Sequence, residues 1–170
     1  NSGSPGTSYY VELNTTTGQQ TYAAVWGSTG VTSSVIGMGV NASCAASDTI
    51  VAYCFAPIAG YSAFGSYTGN GSSDGPFVYC GFRPRWVMIK RTDSADDWIV
   101  MDSSRNTYNV ANTMLYPSTS LAEATAAAYN FDLLSNGFKV RTIEDYLNGS
   151  GNTLIYAAFA ENPFKNALAR

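Results

Sequence analysis

The sequence predicts an all-β protein, a two-sheet antiparallel β-sandwich with one short helix, built from two related halves. Short runs of aromatic and β-branched residues recur along the 170 residues, and clusters of Gly, Asn and Ser separate them, which is typical of strands joined by turns. Hydrophobic residues make up 45% of the chain and aromatic residues 14%. This composition can build a core and excludes intrinsic disorder.

Nine segments carry the strand pattern. They are residues 8–13, 34–38, 49–56, 62–67, 77–81, 85–91, 97–102, 137–141 and 153–160. Two loops rich in Gly and Asn, residues 68–76 and 148–152, provide the positive φ angles that tight reversals need. Residues 86–90 alternate poorly between apolar and polar, which predicts a strand that is buried on both faces or lies at the centre of a sheet.

The single predicted helix lies in an alanine-rich segment. Ser120 and Glu123 have the spacing of a capping box, in which each side chain satisfies a backbone N–H of the first turn. Several alanines follow up to Ala128, and alanine is the best helix former. We therefore expect a helix of at most two turns within residues 120–128.

Two pairs of segments indicate an internal repeat. The sequence from Tyr9 aligns with that from Trp98, and the sequence from Thr49 aligns with that from Thr153. The second copy has about fifteen more residues between its aligned segments, and the predicted helix is the natural place for them. Repeats of this kind often mean that neither copy buries enough surface by itself.

We expect one domain over residues 1–170. Its pseudo-repeats cover about residues 1–60 and 83–168, and a segment rich in Gly and Tyr, residues 61–82, joins them. Two half-units stacked face to face would share one core, whereas two separate small domains would each be marginally stable. Two domains joined within residues 59–66 are the alternative.

Composition and charge exclude several classes of function. The chain has no His, which excludes Ser-His-Asp and Cys-His catalysis and any imidazole metal ligand. Its net charge is −3 and its first basic residue is Arg83, so we expect no binding to nucleic acid. No apolar run reaches the length of a membrane span, and we expect no membrane insertion.

The cysteines and the first residue lead to two smaller expectations. Three Cys, at 44, 54 and 80, lack CxxC spacing, so at most one disulfide can form and buried thiols are the commoner outcome. Because the chain does not begin with Met, we expect a fragment or a processed product.

Three stretches resemble a known family. They are residues 64–71 (FGSYTGNG), 75–93 (GPFVYCGFRPRWVMIKRTD) and 155–165 (IYAAFAENPFK). They are similar to a module of the tail-fibre and virion surface proteins of tailed bacteriophages, over roughly residues 20–168, and such chains commonly carry tandem copies. The resemblance implies a concanavalin-like jelly-roll sandwich and a location on the virion surface or tail. It implies no known activity and no binding residues.

Exposed aromatic residues in polar loops are candidates for glycan binding, because sugar faces stack on aromatic rings while Asn and Asp bind hydroxyl groups. The candidate ligand-binding residues are Tyr61, Tyr67, Asn70, Asp74 and Tyr108. The alternative for each of the tyrosines is packing at a strand edge with the hydroxyl in water.

The acidic residues between 93 and 102 offer two further alternatives. A glycosidase needs two carboxyl groups on one sugar-binding face, but Asp93, Asp96 and Asp97 lie in a turn-like sequence, followed by Asp102. Asp93, Asp96 and Asp97 are also weak candidates for calcium ligands, although their spacing does not fit an EF-hand. We expect no catalytic residues, no metal and no cofactor.

Arg83 and Arg85 form the densest basic spot, and in an extended chain they would share a face. Carboxylates across a hairpin or on a neighbouring subunit are the expected partners, and an anionic polysaccharide is the alternative.

Together these observations predict a non-enzymatic virion surface module, part of a phage tail fibre, that contributes to attachment to a host-surface glycan. Other virion subunits are the expected partners, in a homo-oligomer whose weak contacts become strong through repetition. The first alternative is a structural or decoration protein that packs against subunits of the capsid or tail. The second is a polysaccharide-degrading enzyme.

Overall fold

The computed structural model describes residues 8–22, 25–27, 30–39 and 47–163. Two compact units make up the chain: Asn1–Glu12 with Gln19–Cys54, and Leu13–Gly18 with Phe55–Arg170. Nearly all the regular structure is antiparallel β-sheet, which confirms the predicted fold class. Within the described ranges, no helix is long and apolar enough to cross a membrane.

In the described part of the first unit, one short pair of strands is formed. β1, Tyr9–Tyr10, pairs antiparallel with β2, Gln20–Thr21, and the indole nitrogen of Trp26 donates a hydrogen bond of 3.0 Å to the carbonyl oxygen of Tyr9. Residues 34–38, predicted as a strand, form only a single bridge, between Val31 and Ile36.

The prediction of a strand at residues 49–56 is wrong. These residues have no assigned strand or bridge, and Val51 and Tyr53 are 76% and 82% exposed. Cys54, expected to be a buried thiol, is exposed with them. A β-prone sequence becomes a strand only where a neighbouring strand pairs with it, and the aligned segment at residues 153–160 has two such neighbours.

The second unit contains a β-sandwich. Its strands are β3 Ser62–Thr68, β4 Phe77–Tyr79, β5 Pro84–Arg91, β6 Ile99–Asp102, β7 Thr113–Met114, β8 Ala124–Thr125, β9 Phe131–Leu134, β10 Gly137–Val140 and β11 Thr153–Ala160. One sheet has the order β3-β11-β5-β6, a second has the order β4-β10-β9, and β7 pairs with β8. Residues 61–82, predicted to join the two pseudo-repeats and to contain strands at 62–67 and 77–81, contribute β3 and β4.

The core lies between the four-stranded and three-stranded sheets. Alternate residues of a strand point to opposite faces, so β11 directs Leu154 and Ala158 into the core, where both are fully buried. From the opposite sheet, Phe131 and Phe138 stack with their ring centroids 4.9 Å apart. The buried cluster draws residues from both sheets, which defines the sandwich.

A crossing segment joins the two sheets at one side. The amide of Ala111 donates to the carbonyl of Phe131 on β9 at 2.8 Å, and the amide of Leu115 donates to the carbonyl of Val100 on β6 at 3.0 Å. β6 and β9 are the outer strands of their sheets. Residues 111–115 therefore pair with an edge of each sheet and satisfy backbone groups that an open edge would expose.

The predicted position of the helix is also wrong. β8 and a single 3-10 turn, Ala127–Tyr129, occupy the alanine-rich segment. The carboxylate of Glu123 pairs with Arg105 at 2.6 Å, so it does not make the reciprocal bond of a capping box. The α-helix of the described chain is α1, Asp145–Asn148, which has four residues.

Lys90 on β5 anchors residues 13–18 to the sandwich. Its side chain is fully buried, and its ammonium nitrogen donates to the carbonyl oxygens of Thr16 at 2.9 Å and Asp96 at 2.7 Å. Burial lowers the pKa of Lys90, because removal from water disfavours its charged form. Lys90 therefore has a structural role, because its hydrogen bonds hold residues 13–18 against β5.

Candidate functional site

A cleft of about 300 Å³ opens on the outer face of the four-stranded sheet, near one end of β5 and β11. Its lining consists of Arg85, Trp86, Asp102, Ser104, Arg105, Phe159 and Ala160. The register of the sheet brings three of these together, since Trp86 pairs with Phe159 on one side and with Asp102 on the other. Their neighbours Val87, Met101 and Ala158 are buried in the core, so this row points outwards.

Phe159 is the centre of an aromatic cluster at the cleft. The ring centroid of Trp86 lies 5.6 Å from that of Phe159, and the rings of Phe55, Tyr61 and Phe64 lie at 5.9, 6.1 and 5.8 Å. Trp86 and Phe159 both stay half-buried. Aromatic rings held at such distances form a rigid apolar floor.

A shift in register between β5 and β11 places Arg85 in the lining of the cleft. Phe159 pairs with Trp86, but Ala160 pairs with Pro84, so Arg85 has no partner in β11. In an unbroken strand, consecutive residues point to opposite faces. A bulge rotates the extra residue out of this alternation. Arg85 and Trp86, although adjacent in sequence, therefore line the same cleft.

Charged and hydroxyl groups form the wall of the cleft. One oxygen of Asp102 accepts hydrogen bonds of 2.9 Å from the amides of Ser104 and Arg105, and the other accepts from the Arg105 guanidinium. Hydrogen bonds to Glu123 and Asp102 raise the pKa of Arg105. A terminal nitrogen of Arg85 donates to the hydroxyl of Ser104 at 2.7 Å. These bonds hold the guanidinium groups of Arg105 and Arg85 in place beside the aromatic rings of the cleft.

Of the predicted ligand-binding residues, Tyr61 lies closest to the cleft, since its ring contacts Phe159 edge-on. Tyr108 is 84% exposed and does not line the cleft. The structure therefore does not gather the predicted residues into one site.

Asn70 and Asp74 lie in the loop between β3 and β4. The amide nitrogen of the Asn70 side chain donates to the carbonyl of Asp74 at 3.0 Å, which organises the loop. The carboxylate of Asp74 pairs with Lys139 at 2.7 Å, and this hydrogen bond and charge lower the pKa of Asp74. These two residues lie next to the three-stranded sheet, apart from the cleft.

Tyr67 faces the core instead of a binding surface. It is 9% exposed, and its hydroxyl donates a hydrogen bond of 2.8 Å to the carbonyl of Leu147. Burial raises the pKa of Tyr67, since the phenolate would be desolvated. A buried ring offers no face to a sugar, so this placement argues for a structural role.

The buried hydroxyl of Tyr67 predicts a loss of stability in alkali. Because its folded-state pKa lies above the unfolded value of about 10, its contribution is complete below that pH and is lost as the pH rises further. Tyr67→Phe should make the alkaline decline in the free energy of unfolding less steep. At neutral pH it should cost about 1–3 kcal/mol, because the carbonyl of Leu147 loses its donor.

Urea unfolding at several pH values between neutrality and about pH 11 measures both effects. Tyr108→Phe is the matched control and should leave stability at neutral pH unchanged. A Tyr67→Phe variant as stable as the wild type at neutral pH would contradict the role of this hydrogen bond.

The acidic cluster is occupied by internal contacts. Asp93 and Asp96 pair with Arg91 at 2.6 and 3.2 Å, and Asp97 accepts a hydrogen bond of 3.1 Å from Ser118. Among the residues that the structure describes, no group of three or more Cys, Asp or Glu could hold a metal ion.

Sequence reasoning missed Trp86, Phe159 and the role of Asp102. Trp86 and Phe159 lie in strand-forming runs whose inner and outer residues are both apolar, so alternation does not reveal which rings face outwards. Arg85 belongs to the basic spot noted in the sequence, and its neighbour Arg83 pairs with Glu161 at 2.8 Å.

One of three comparisons with known proteins gives a match. No curated protein and no solved structure matches the chain. A family model described as a domain of unknown function, DUF7483, matches residues 3–163. This match spans nearly the whole chain, and the chain therefore belongs to the DUF7483 family.

Proposed function

We propose that the chain is a non-enzymatic surface module of a phage virion that binds a host-surface glycan through the cleft at Trp86. The in-register row of Phe159, Trp86 and Asp102 is the observation that carries this proposal. It places an aromatic floor beside polar side chains on the outer face of a rigid sheet, which is the arrangement that sugar recognition uses.

The chemistry of the cleft suits a sugar ring. One face of a pyranose presents C–H groups that pack on an indole, while its hydroxyl groups seek hydrogen bonds at the edge of the ring. Ser104 and Asp102 lie at that edge. The volume of about 300 Å³ lies at the small end of ligand pockets, and would hold one or two sugar residues of a longer chain.

The charges of the cleft favour binding over hydrolysis. Asp102 is the one carboxylate among the residues that line the cleft, and its two oxygens accept hydrogen bonds from Arg105 and from two backbone amides. Glycosidases require two carboxyl groups across the scissile bond. A purified protein that releases oligosaccharides from a bacterial polysaccharide would favour the enzyme instead.

A small cleft gives weak binding, and repetition would compensate for it. Copies held together in a homo-oligomer with other virion subunits raise the effective concentration of each cleft. The resemblance of residues 64–71, 75–93 and 155–165 to tail-fibre modules supports this placement on a tail fibre.

Trp86→Ala should weaken glycan binding by about tenfold or more, because loss of a central aromatic contact removes most of the energy of such a site. An array of bacterial surface glycans identifies the ligand, and isothermal titration of wild type and variant measures the change. Circular dichroism verifies that the variant folds.

Tyr79→Ala is the control, since this ring is 68% exposed and lies outside the cleft on β4. The variant should bind as the wild type does. Binding that survives Trp86→Ala and disappears in Tyr79→Ala would contradict a site at the cleft. A wild-type protein that binds no glycan of the array would contradict the proposed function.

A second candidate function is assembly of the capsid or tail. On β4, Phe77 and Tyr79 are 45% and 68% exposed and share a face, because they are two residues apart in a strand. Exposed aromatic pairs favour contacts between subunits. If the isolated protein oligomerises, Tyr79→Ala disrupts the oligomer and no sugar binds, assembly is the better assignment.

A further inference from the structure

We propose that the cleft selects an acidic sugar, a hexuronate, whose carboxylate pairs with Arg85 while its ring stacks on Trp86. This inference rests on the proposed function and names the substrate class of the same site. It depends on the positive charge of Arg85 and on the bulge that directs this side chain into the cleft. It also depends on the ion pair between Asp102 and Arg105, which leaves Arg85 without a carboxylate partner.

Arg85 differs from the other described arginines in having no carboxylate partner. The others form ion pairs: Arg83 with Glu161, Arg91 with Asp93 and Asp96, Arg105 with Asp102 and Glu123, and Arg141 with Asp132 and Asp74. The side chain of Arg85 donates to the neutral hydroxyl of Ser104. A guanidinium has five N–H donors, so most of those of Arg85 remain available to a ligand.

The carboxylate in the wall does not neutralise Arg85. Asp102 already accepts from the guanidinium and the amide of Arg105 and from the amide of Ser104, and Glu123 also pairs with Arg105 at 2.6 Å. Both oxygens of Asp102 are thus engaged by Arg105 and the two amides, and Asp102 forms no ion pair with Arg85. The side chain of Arg85 is exposed, so its guanidinium remains accessible to an incoming anion.

Arg85 and Trp86 lie side by side in the cleft, as the carboxylate and the ring do in a hexuronate. The bulge directs Arg85 into the cleft next to the indole of Trp86. In a hexuronate the carboxylate is attached directly to the pyranose ring. A ring that stacks on Trp86 therefore carries its carboxylate to the rim, where a guanidinium can bind both oxygens in a bidentate pair. A neutral hexose offers a hydroxymethyl group there and gains no ion pair.

Paired probes that differ only in charge test the inference. Oligogalacturonate and oligoglucuronate are titrated against the same oligomers after reduction of the carboxyl groups to alcohols. Wild type should bind the acidic oligomers at least about tenfold more tightly, since a charge-assisted hydrogen bond is the stronger kind. Because surface ion pairs are screened, this preference should shrink as the NaCl concentration rises.

Arg85→Gln should abolish the preference for acidic oligomers, because it should weaken their binding more than it weakens binding of the reduced oligomers. Arg83→Gln is the matched control, since it removes a partly exposed guanidinium two residues away that pairs with Glu161 and does not line the cleft. This variant should keep the preference. Trp86→Ala should weaken binding of both kinds of oligomer.

Each other outcome is decisive. Equal binding of acidic and reduced oligomers by the wild type, or an equal loss of the preference in Arg85→Gln and Arg83→Gln, would overturn the hexuronate inference. The proposed function would then still stand if Trp86→Ala abolished binding. A wild type that binds only neutral sugars of the array would also overturn the inference alone, whereas one that binds no glycan at all would overturn both.

Discussion

Phe138→Ala should lower the free energy of unfolding by about 3–5 kcal/mol, the usual cost of deleting a large buried ring. Phe138 is fully buried on β10. Its ring stacks on Phe131 at 4.9 Å and meets Tyr156 and Tyr67 at 5.3 and 6.0 Å. Tyr156 and Tyr67 belong to the opposite sheet, so the substitution opens a cavity where the two sheets meet.

Phe77→Ala is the control for this prediction. Phe77 lies on β4, the strand that pairs with β10, but its ring is 45% exposed and its removal should cost no more than about 1 kcal/mol. Urea unfolding followed by tryptophan fluorescence compares the two variants. Equal costs would mean that Phe138 does not lie in a core shared by two sheets, and would contradict the sandwich.

Asn148→Ala should lower the free energy of unfolding by about 3 kcal/mol or more, because a fully buried polar side chain loses all its hydrogen bonds at once. The two N–H donors of the Asn148 side chain are shared among three acceptors: the Asn70 side-chain oxygen at 3.0 Å and the carbonyls of Ser72 and Thr142, both at 2.7 Å. Its oxygen accepts from the amide of Asn70 at 2.9 Å. Asn148 thereby fastens the β3–β4 loop to the segment before α1.

Asn152→Ala provides the comparison, since the Asn152 side chain makes one exposed bond, to the carbonyl of Asp145 at 3.0 Å. Its loss should cost less than about 1.5 kcal/mol. Asn148→Asp tests whether donation by Asn148 matters. A carboxylate has no N–H group to give to the three oxygens that face this position, so this variant should also be destabilised. If Asn148→Ala and Asn148→Asp both unfold at the same urea concentration as Asn152→Ala, the hydrogen-bond network is not an anchor of the fold.

Strands with strong local patterns were predicted well. The prediction for residues 153–160 matches β11 residue for residue, and those for 62–67 and 85–91 each differ from β3 and β5 by one residue. In these segments, β-branched and aromatic residues are bounded by Gly, Pro or polar turns. β9, Phe131–Leu134, was missed because it is short and has no β-branched residue.

Errors arose where long-range partners outweighed local preference. Glu123 has the spacing of a helix cap, but Arg105 provides a stronger partner for its carboxylate. Residues 49–56 resemble β11 in sequence, yet the β11 segment is the one that pairs with β3 and β5. Propensity describes a segment by itself, whereas a strand needs a neighbour that sequence spacing does not specify.

In the Gly- and Asn-rich loop at 68–76, local composition and long-range contacts also determine different features. Its composition predicts a reversal, but its packing depends on a residue more than 70 positions away. A Cβ placed on Gly75 would lie 2.9 Å from the side-chain nitrogen of Asn148. The absence of a side chain at Gly75 is therefore required by the backbone of Val140, whose oxygen would lie 2.5 Å from that Cβ, and by the buried Asn148.

By itself the sequence determined the all-β character, the main strands and the loops between them, because these follow from local composition and from turn residues. Only the tertiary structure decided which aromatic rings face outwards and which residues line the cleft. Trp86, Asp102 and Phe159 become neighbours through the register of three strands, and Arg85 joins them through a bulge. Register and bulges are set by pairing between distant segments, so the binding surface emerges only when the chain has folded.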